Sequence, residues 1–342
     1  MAMENGRAQQ AGRFGLTRRQ IVIWGGLFLL VLLPPIAQAI GDPFLIKLVT
    51  RMLIYGLAAA ALDLIVGYGA LVSLGHGAFF GLGAYTVGIL AMHSYEETPV
   101  SVITGDWTGT TSALVQWPLA IGVGAGVALI IGALCVRAAG VYFIMITLAF
   151  AQMLYFVMIS QTAYGGEDGL NIWERSTLPG LDLSDATTFY YVCLVLLVGF
   201  ILLADRILKS RFGQVVQAIR QNETRTTALG IGTYRFKLAA FVISAAGTAL
   251  AGALIAHHNE FAGPGLMRWT VSGELLVMVI LGGMGTLVGP VIGAIALLTL
   301  EEVLTGFTEH WMLILGPILI LFVLFLKRGL YGVLVGRERD DE

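Results

Sequence analysis

Three ionisable side chains, Asp63, His76 and Glu274, stand in or against long stretches that carry almost no other charge. A charge held in hydrocarbon is costly, so such residues mark solute or proton routes unless they cap helices or bond to the backbone. Asp63 could pair with Tyr68 or cap a broken helix. His76, between Gly75 and Gly77 at the start of an apolar run, suits either a backbone-bonded place at a membrane interface or a contact with a passing solute. Glu274 follows Ser272 and Gly273 and is expected in the first turn of a helix, where the dipole favours a carboxylate, so capping competes with a role in a route. Ser73, Thr147, Gln152, Ser244 and Thr248 add uncharged hydrogen-bonding groups. With Tyr68, Gly283 and Gly285, these residues are the candidate lining of a path through the chain.

Covalent chemistry has no foothold. Gly-x-x-x-x-Gly-Lys-Ser/Thr is missing, so the chain has no P-loop to cradle ATP. A Cys/His metal cluster, a Gly-x-Ser-x-Gly elbow and a His-Glu-x-x-His helix are missing too, which argues against a hydrolase. No catalytic residue, metal or cofactor is therefore expected of the chain itself. Cys135 and Cys193 fall in apolar runs and read as packing residues. His257 and His258 are expected as a solvated boundary pair, since neighbours on a helix point in different directions.

These residues sit in a chain of 342, of which 57% are apolar and 12% charged, with a mean hydropathy of +0.84. A soluble protein cannot cover its surface with so few charges, and a net charge of -2 gives no sign of nucleic-acid binding. The expected class is an all-α polytopic transmembrane helix bundle in contact with lipid. Apolar runs at residues 21–40, 53–66, 71–92, 118–136, 141–160, 189–204, 238–257 and 311–326, with a Gly-broken pair over 273–304, make about ten crossings, some short or broken. They are continuous rather than alternating, which excludes barrel strands.

Basic residues are retained on the cytoplasmic side. Arg7, Arg13, Arg18 and Arg19 precede the first run, and Arg206, Lys209, Arg211, Arg220, Arg225, Arg235 and Lys237 crowd the loop 205–237. The expected organisation is a cytoplasmic segment 1–20, a membrane domain 21–327 with that loop inside, and a cytoplasmic tail 328–342. A cleaved signal peptide ending near Ala37, Gln38 and Ala39 competes with a retained first helix that Pro34 and Pro35 would end.

Gly67–Tyr68–Gly69 and the glycines at 282, 283 and 285 interrupt apolar runs, and unwound backbone at depth needs protein or a wet cavity around it. Gly285, Gly289 and Gly293, four residues apart, would also let two helices approach closely.

Residues 210–231, SRFGQVVQAIRQNETRTTALGI, read as a helix outside the membrane. Phe212, Val215, Val216, Ile219 and Thr226 or Leu229 share one face, Gln214, Gln217, Gln221 and Arg225 the other, and Gly230 suits the stop. So short a helix is expected to rest its apolar face on lipid or in a partner's groove. The order small-Arg-x-Gly, then AIRxNE at 218–223 and ALGI at 228–231, with Lys237 and the span from Phe241 to Gly247, resembles the permeases of branched-chain amino acid ABC importers, LivM type. GYGALVSLGHGAFFGLGAY at 67–85 and LGGMGTLVGPVIG at 281–293 resemble two further signatures. Two departures stand out: Asp63 replaces a frequent Asn, and Lys327 and Arg328 stand before Gly329 and Leu330 without the usual Pro.

The resemblance implies that 213–228 is the coupling helix seated on an ATPase, with Gly213, Gln214, Val216, Gln217, Ala218, Ile219, Arg220, Asn222, Glu223 and Ala228 carrying that role. It further implies a multi-pass bacterial inner-membrane protein with both termini cytoplasmic. The implied partners are a second, LivH-like permease, two ABC ATPase subunits that hydrolyse ATP/Mg, and an extracytoplasmic amino-acid-binding protein. Sparse polar groups are compatible with an aliphatic zwitterion as cargo. Urea or short-chain amides are the alternative cargo, and a proton-coupled secondary transporter using Asp63, His76 or Glu274 the alternative mechanism.

Overall fold

The computed structural model describes residues 18–99, 107–173, 175–308, 310–325 and 329–335. Residues 1–17 of the expected N-terminal segment, and 328 and 336–342 of the expected tail, lie outside the described residues. Among the described residues the chain is an all-α bundle with one two-residue β pair. Eight helices are long and apolar enough to cross a bilayer: α1 (Arg18–Ile40), α2 (Pro43–Val66), α3 (His76–Glu96), α4 (Ala113–Cys135), α5 (Val141–Ser160), α6 (Ala186–Lys209), α9 (Thr233–Asn259) and α11 (Gly289–Phe307). Helices α10 (Trp269–Gly282) and α12 (Trp311–Phe325) are apolar but shorter. Three helices are not spans: α7 (Arg211–Gln221), α8 (Glu223–Ala228) and α13 (Gly329–Val335).

Helix α2 is the hub, buried without interruption from Met52 to Val66 and packed on α9, α11, α6 and α10. It starts at Pro43, ten residues before the run that hydropathy marks, because Asp42 caps it by accepting the Phe44 N–H (3.0 Å) and Pro43 fits the first turn. Lys47 and Arg51 had masked that start. Helices α3 and α9 touch backbone to backbone: a Cβ on Gly83 would overlap the Ala249 carbonyl, and one on Gly252 that of Phe80. Such small-residue contacts supply the van der Waals packing that joins helices in lipid.

Helix α1 runs through Pro34 and Pro35 to Ile40 rather than stopping at them. Each proline removes the N–H due to the carbonyl four residues earlier, which frees Leu30 and Val31. Tyr190 donates its hydroxyl to the Leu30 carbonyl (2.6 Å) and Tyr191 to that of Val31 (3.2 Å), so two neighbouring residues of α6 repair two neighbouring defects of α1.

At the end opposite α7, Leu170 and Asn171 pair antiparallel with Phe261 and Ala262. Arg175 bridges Glu260 (2.6 Å) and donates to the Leu183 and Ser184 carbonyls. Asp185 caps α6, and the Thr188 N–H and hydroxyl it accepts hold its carboxyl below the usual range. His257 is not solvated there. It is buried against Ser176 (2.9 Å) and the edge of Trp117, while His258 stacks on Phe189. Among the described residues no group of His, Cys, Asp and Glu is placed to hold a metal.

The expected tail is not all tail: α13 packs on α10 and α11 with Tyr331 and Val335 buried, and Gly329 (φ +67°) abuts the Gly283 backbone.

Tyr190→Phe should lower the unfolding free energy by about 1–3 kcal/mol, the cost of an unpaired buried carbonyl. The same change in a Pro34→Ala background, where the helix regains its own donor, should cost far less. Thermal unfolding of the four purified variants checks this; equal losses in both backgrounds would sink the repair argument.

Candidate functional site

The two glycine breaks meet. Where α2 ends, the Asp63 carbonyl accepts from the N–H groups of Gly67 (2.7 Å) and Tyr68 (3.2 Å), and the Ile65 carbonyl from those of Gly69 (3.1 Å) and Leu71 (2.8 Å). Ala70 then takes φ +53°, and residues 71–75, expected to be helical, form a non-helical connection to α3. The side chain of Asp63, fully buried, accepts the N–H of Gly285 (2.9 Å) across 222 residues of sequence. Gly285 (φ +77°) and Gly283 (φ +118°) shape the α10–α11 loop, and Thr286 donates to the Gly283 carbonyl (2.6 Å). Of the candidate path residues, Asp63, Tyr68, Gly283 and Gly285 thus gather at the α7 end. The sequence made Asp63 a route residue or a cap; geometrically it clamps one break to the other.

A second group surrounds His76, which is completely buried within the bundle. Its ring nitrogens stand 3.1 Å from Ser73 Oγ and 2.9 Å from Ser244 Oγ. Ser244 spends its proton on the Ala61 carbonyl (2.6 Å), so it accepts from His76 Nε2–H; Nδ1 then accepts from Ser73, whose oxygen accepts the Gly75 N–H (3.1 Å). This chain of donors holds a neutral imidazole. Thr147 of α5 accepts the Leu74 N–H (3.3 Å), and Ser272 of α10 the Gly77 N–H (2.7 Å). Ser73, His76 and Thr147 therefore come together, with their hydrogen-bonding capacity committed to one another and to the unwound backbone.

Gln152 sits half-buried further along α5, apart from both groups. Glu274 is in the second turn of α10 rather than the first and faces out of the bundle. It lies within electrostatic reach of Glu301 of α11 and Arg51 of α2, which themselves pair at 3.5 Å. Arg51 escaped the sequence reading because it lay just before the 53–66 run, and Glu301, inside the 273–304 run, was not singled out; the Asp42–Pro43 cap was the signal that places Arg51 inside a span.

The segment outside the spans is two helices, not one. Asn222 breaks it and caps α8 by accepting the Arg225 N–H (2.9 Å); α8 ends before Gly230 in the left-handed region (φ +83°). Phe212, Gly213 and Val216 line a small pocket with Leu64, Leu208, Ala240 and Ile243 of the same chain, and Ile219 is buried. The apolar face is thus covered largely by the bundle itself. Gln214, Ala218, Arg220, Gln221, Asn222, Arg225 and Ala228 stay exposed, Gln217 donates to the Leu208 carbonyl (3.2 Å), and Leu229 is exposed while Thr226 takes the buried place. Glu223 ties α8 to the start of α9 through Lys237 (2.5 Å) and Thr233 (3.1 Å). Arg220 reaches over the Gly285 loop: a Cβ on Gly285 would come within 3.2 Å of its guanidinium, which is also in electrostatic reach of Asp63.

Interrupted spans clamped at depth, with an amphipathic helix pair at one end, define a polytopic integral membrane protein. The family model described as "Branched-chain amino acid transport system / permease component" matches residues 44–324, and the chain belongs to that family. It is 30% identical to the high-affinity branched-chain amino acid transport system permease protein LivM of Salmonella typhimurium, over 89% of this chain and 74% of that protein, and equally so to LivM of Escherichia coli. LivH of Salmonella typhimurium is 26% identical over 47% of this chain and 52% of its own length. No solved structure matches.

Asp63→Asn, which keeps an acceptor for Gly285, should retain thermal stability and transport within about twofold. Asp63→Ala leaves that N–H unpaired and should cost about 1–3 kcal/mol. If Asp63→Asn proved as damaging as Asp63→Ala, the carboxylate would be acting by titration rather than as a clamp.

Proposed function

We propose that this chain is a transmembrane subunit of an ATP-driven importer of branched-chain amino acids. The observation that carries the reading is the α7–α8 element: its apolar side is already satisfied by its own chain, so what it presents outward is a preformed polar docking surface resting on α2, α6 and α9. The relatives' names, which describe a high-affinity branched-chain amino acid transport system, support the cargo. Likeness to LivH as well as LivM supports a second, related permease chain as neighbour. One of two ATPases would seat on α7 and α8, the other on the second permease, and a binding protein would deliver cargo at the opposite end, where the β pair and the Arg175–Glu260 bridge knit the loops. The basic residues around α7 support a cytoplasmic location for that end, in the bacterial inner membrane with both termini inside. ATP-driven motion of the ATPases would reach the bundle through Arg220 and the Gly285 loop and switch access between the two sides.

Uptake of labelled leucine in cells lacking the chain and complemented with it tests the reading. ATPase-inhibitor-sensitive, protonophore-tolerant uptake is expected. Ala218→Trp on the exposed face of α7 should reduce uptake at least tenfold and abolish co-purification with the ATPases while the chain remains inserted; Arg220→Glu and removal of 213–228 should abolish uptake. Normal uptake by the deletion would end the coupling assignment, protonophore-sensitive uptake the ATP-driven mechanism, and transport of urea without leucine the cargo.

A further inference from the structure

Arg51 and Glu301 are charged side chains within spans, half-buried, and Glu274 in the second turn of α10 is exposed on the outside of the bundle. Arg51 stands about 12 Å of helix below Pro43 and about 22 Å above Val66, and Glu301 about 18 Å from Gly289 and 9 Å from Phe307. Their side chains keep 36% and 26% of their exposure. Glu274 shares the outward stripe of α10 with Thr270 and Val277. Lipid does not tolerate such a group; intramembrane charges face protein or a wet cavity.

The charges also do not balance. One guanidinium faces two carboxylates, leaving one negative charge in excess. The Arg51–Glu301 contact is long, a single hydrogen bond at 3.5 Å, with the guanidinium 5.6 Å above the Tyr55 ring. A guanidinium carries five N–H donors in a fork that matches a carboxylate in two-point fashion, so Arg51 has donors in reserve. An α-amino acid carries its ammonium and carboxylate on one carbon, and that is the complement of this set: the ammonium meets the unmatched Glu274 while the carboxylate takes the open donors of Arg51. An inorganic cation would find Arg51 in its way, and a neutral amide would leave the excess charge uncompensated.

We propose that Arg51 and Glu274 are the membrane-depth contact for the zwitterionic group of the transported amino acid, with Glu301 positioning Arg51 between passages. The inference rests on the importer reading above and deepens it by naming the residues. Aliphatic side chains would lie along Val277, which offers no polar group and so passes leucine, isoleucine and valine alike.

The test uses the complete transporter, with its second permease, ATPases and binding protein, in proteoliposomes. Cys135 and Cys193 are buried, so a cysteine added at the site gives a clean signal. Glu274→Cys should react with a membrane-impermeant thiosulfonate, and leucine-loaded binding protein with ATP should slow that reaction at least fivefold. Thr270→Cys, one turn earlier on the same stripe, carries the measurement if the first variant fails to assemble. Reaction only with a lipid-soluble maleimide would put this face against lipid and overturn the proposal. Leucine carried per ATP hydrolysed should fall at least tenfold in Glu274→Gln and stay within about threefold in Glu274→Asp; an unchanged ratio in Glu274→Gln overturns the assignment while leaving the importer intact. Wild-type vesicles without ATP-dependent uptake would overturn the importer reading and this inference with it.

Discussion

Hydrocarbon supplies no hydrogen bonds, and the rest of the architecture depends on that. A helix meets the constraint alone, but this chain breaks its helices where it can least afford to, after α2, before α3 and between α10 and α11. Every break carries its own repair. The Gly285 N–H goes to Asp63, Leu74 to Thr147, Gly75 to Ser73 and Gly77 to Ser272. Much of the polarity inside the spans is therefore backbone mortar, and its sparseness reflects the small number of groups in need of it.

A clamped interior limits what can move. Helices α3 and α9 meet through small residues with backbones in contact, Gly247 of α9 lies against Ala61 of α2, and such packing has few intermediate positions. Pieces that sit across joints are better placed to transmit motion. Arg220 leans on the loop that Asp63 holds, and α13 abuts the other side of that loop. Arg220 of α7 thus stands against the loop that joins α10 to α11, and α10 carries Glu274 on its outward side.

The sequence was readable where physics is local. Long apolar runs announced the spans, paired glycines the breaks, and the Phe212–Val216–Ile219 spacing the orientation of α7. It was silent where partners are distant: nothing near Asp63 names Gly285, and nothing near His76 names Ser244, 168 residues away. Charge also misled. Lys47 and Arg51 hid the first ten residues of α2, so Arg51, the partner of Glu301, fell outside the expected spans. The amphipathic character of α7 was plain, but only tertiary structure reveals that Leu64 and Leu208 had already covered its apolar side.

The tyrosine repair of α1 sets an order on biogenesis. Leu30 and Val31 are synthesised 160 residues before the hydroxyls that satisfy them. At roughly 5–20 residues per second, their carbonyls wait about 8–30 s for α6. Through that interval the two carbonyls must find other donors, from water, a neighbouring helix or a local adjustment of the turn. The bonds that complete the first helix therefore form only once a helix from the middle of the chain has arrived beside it.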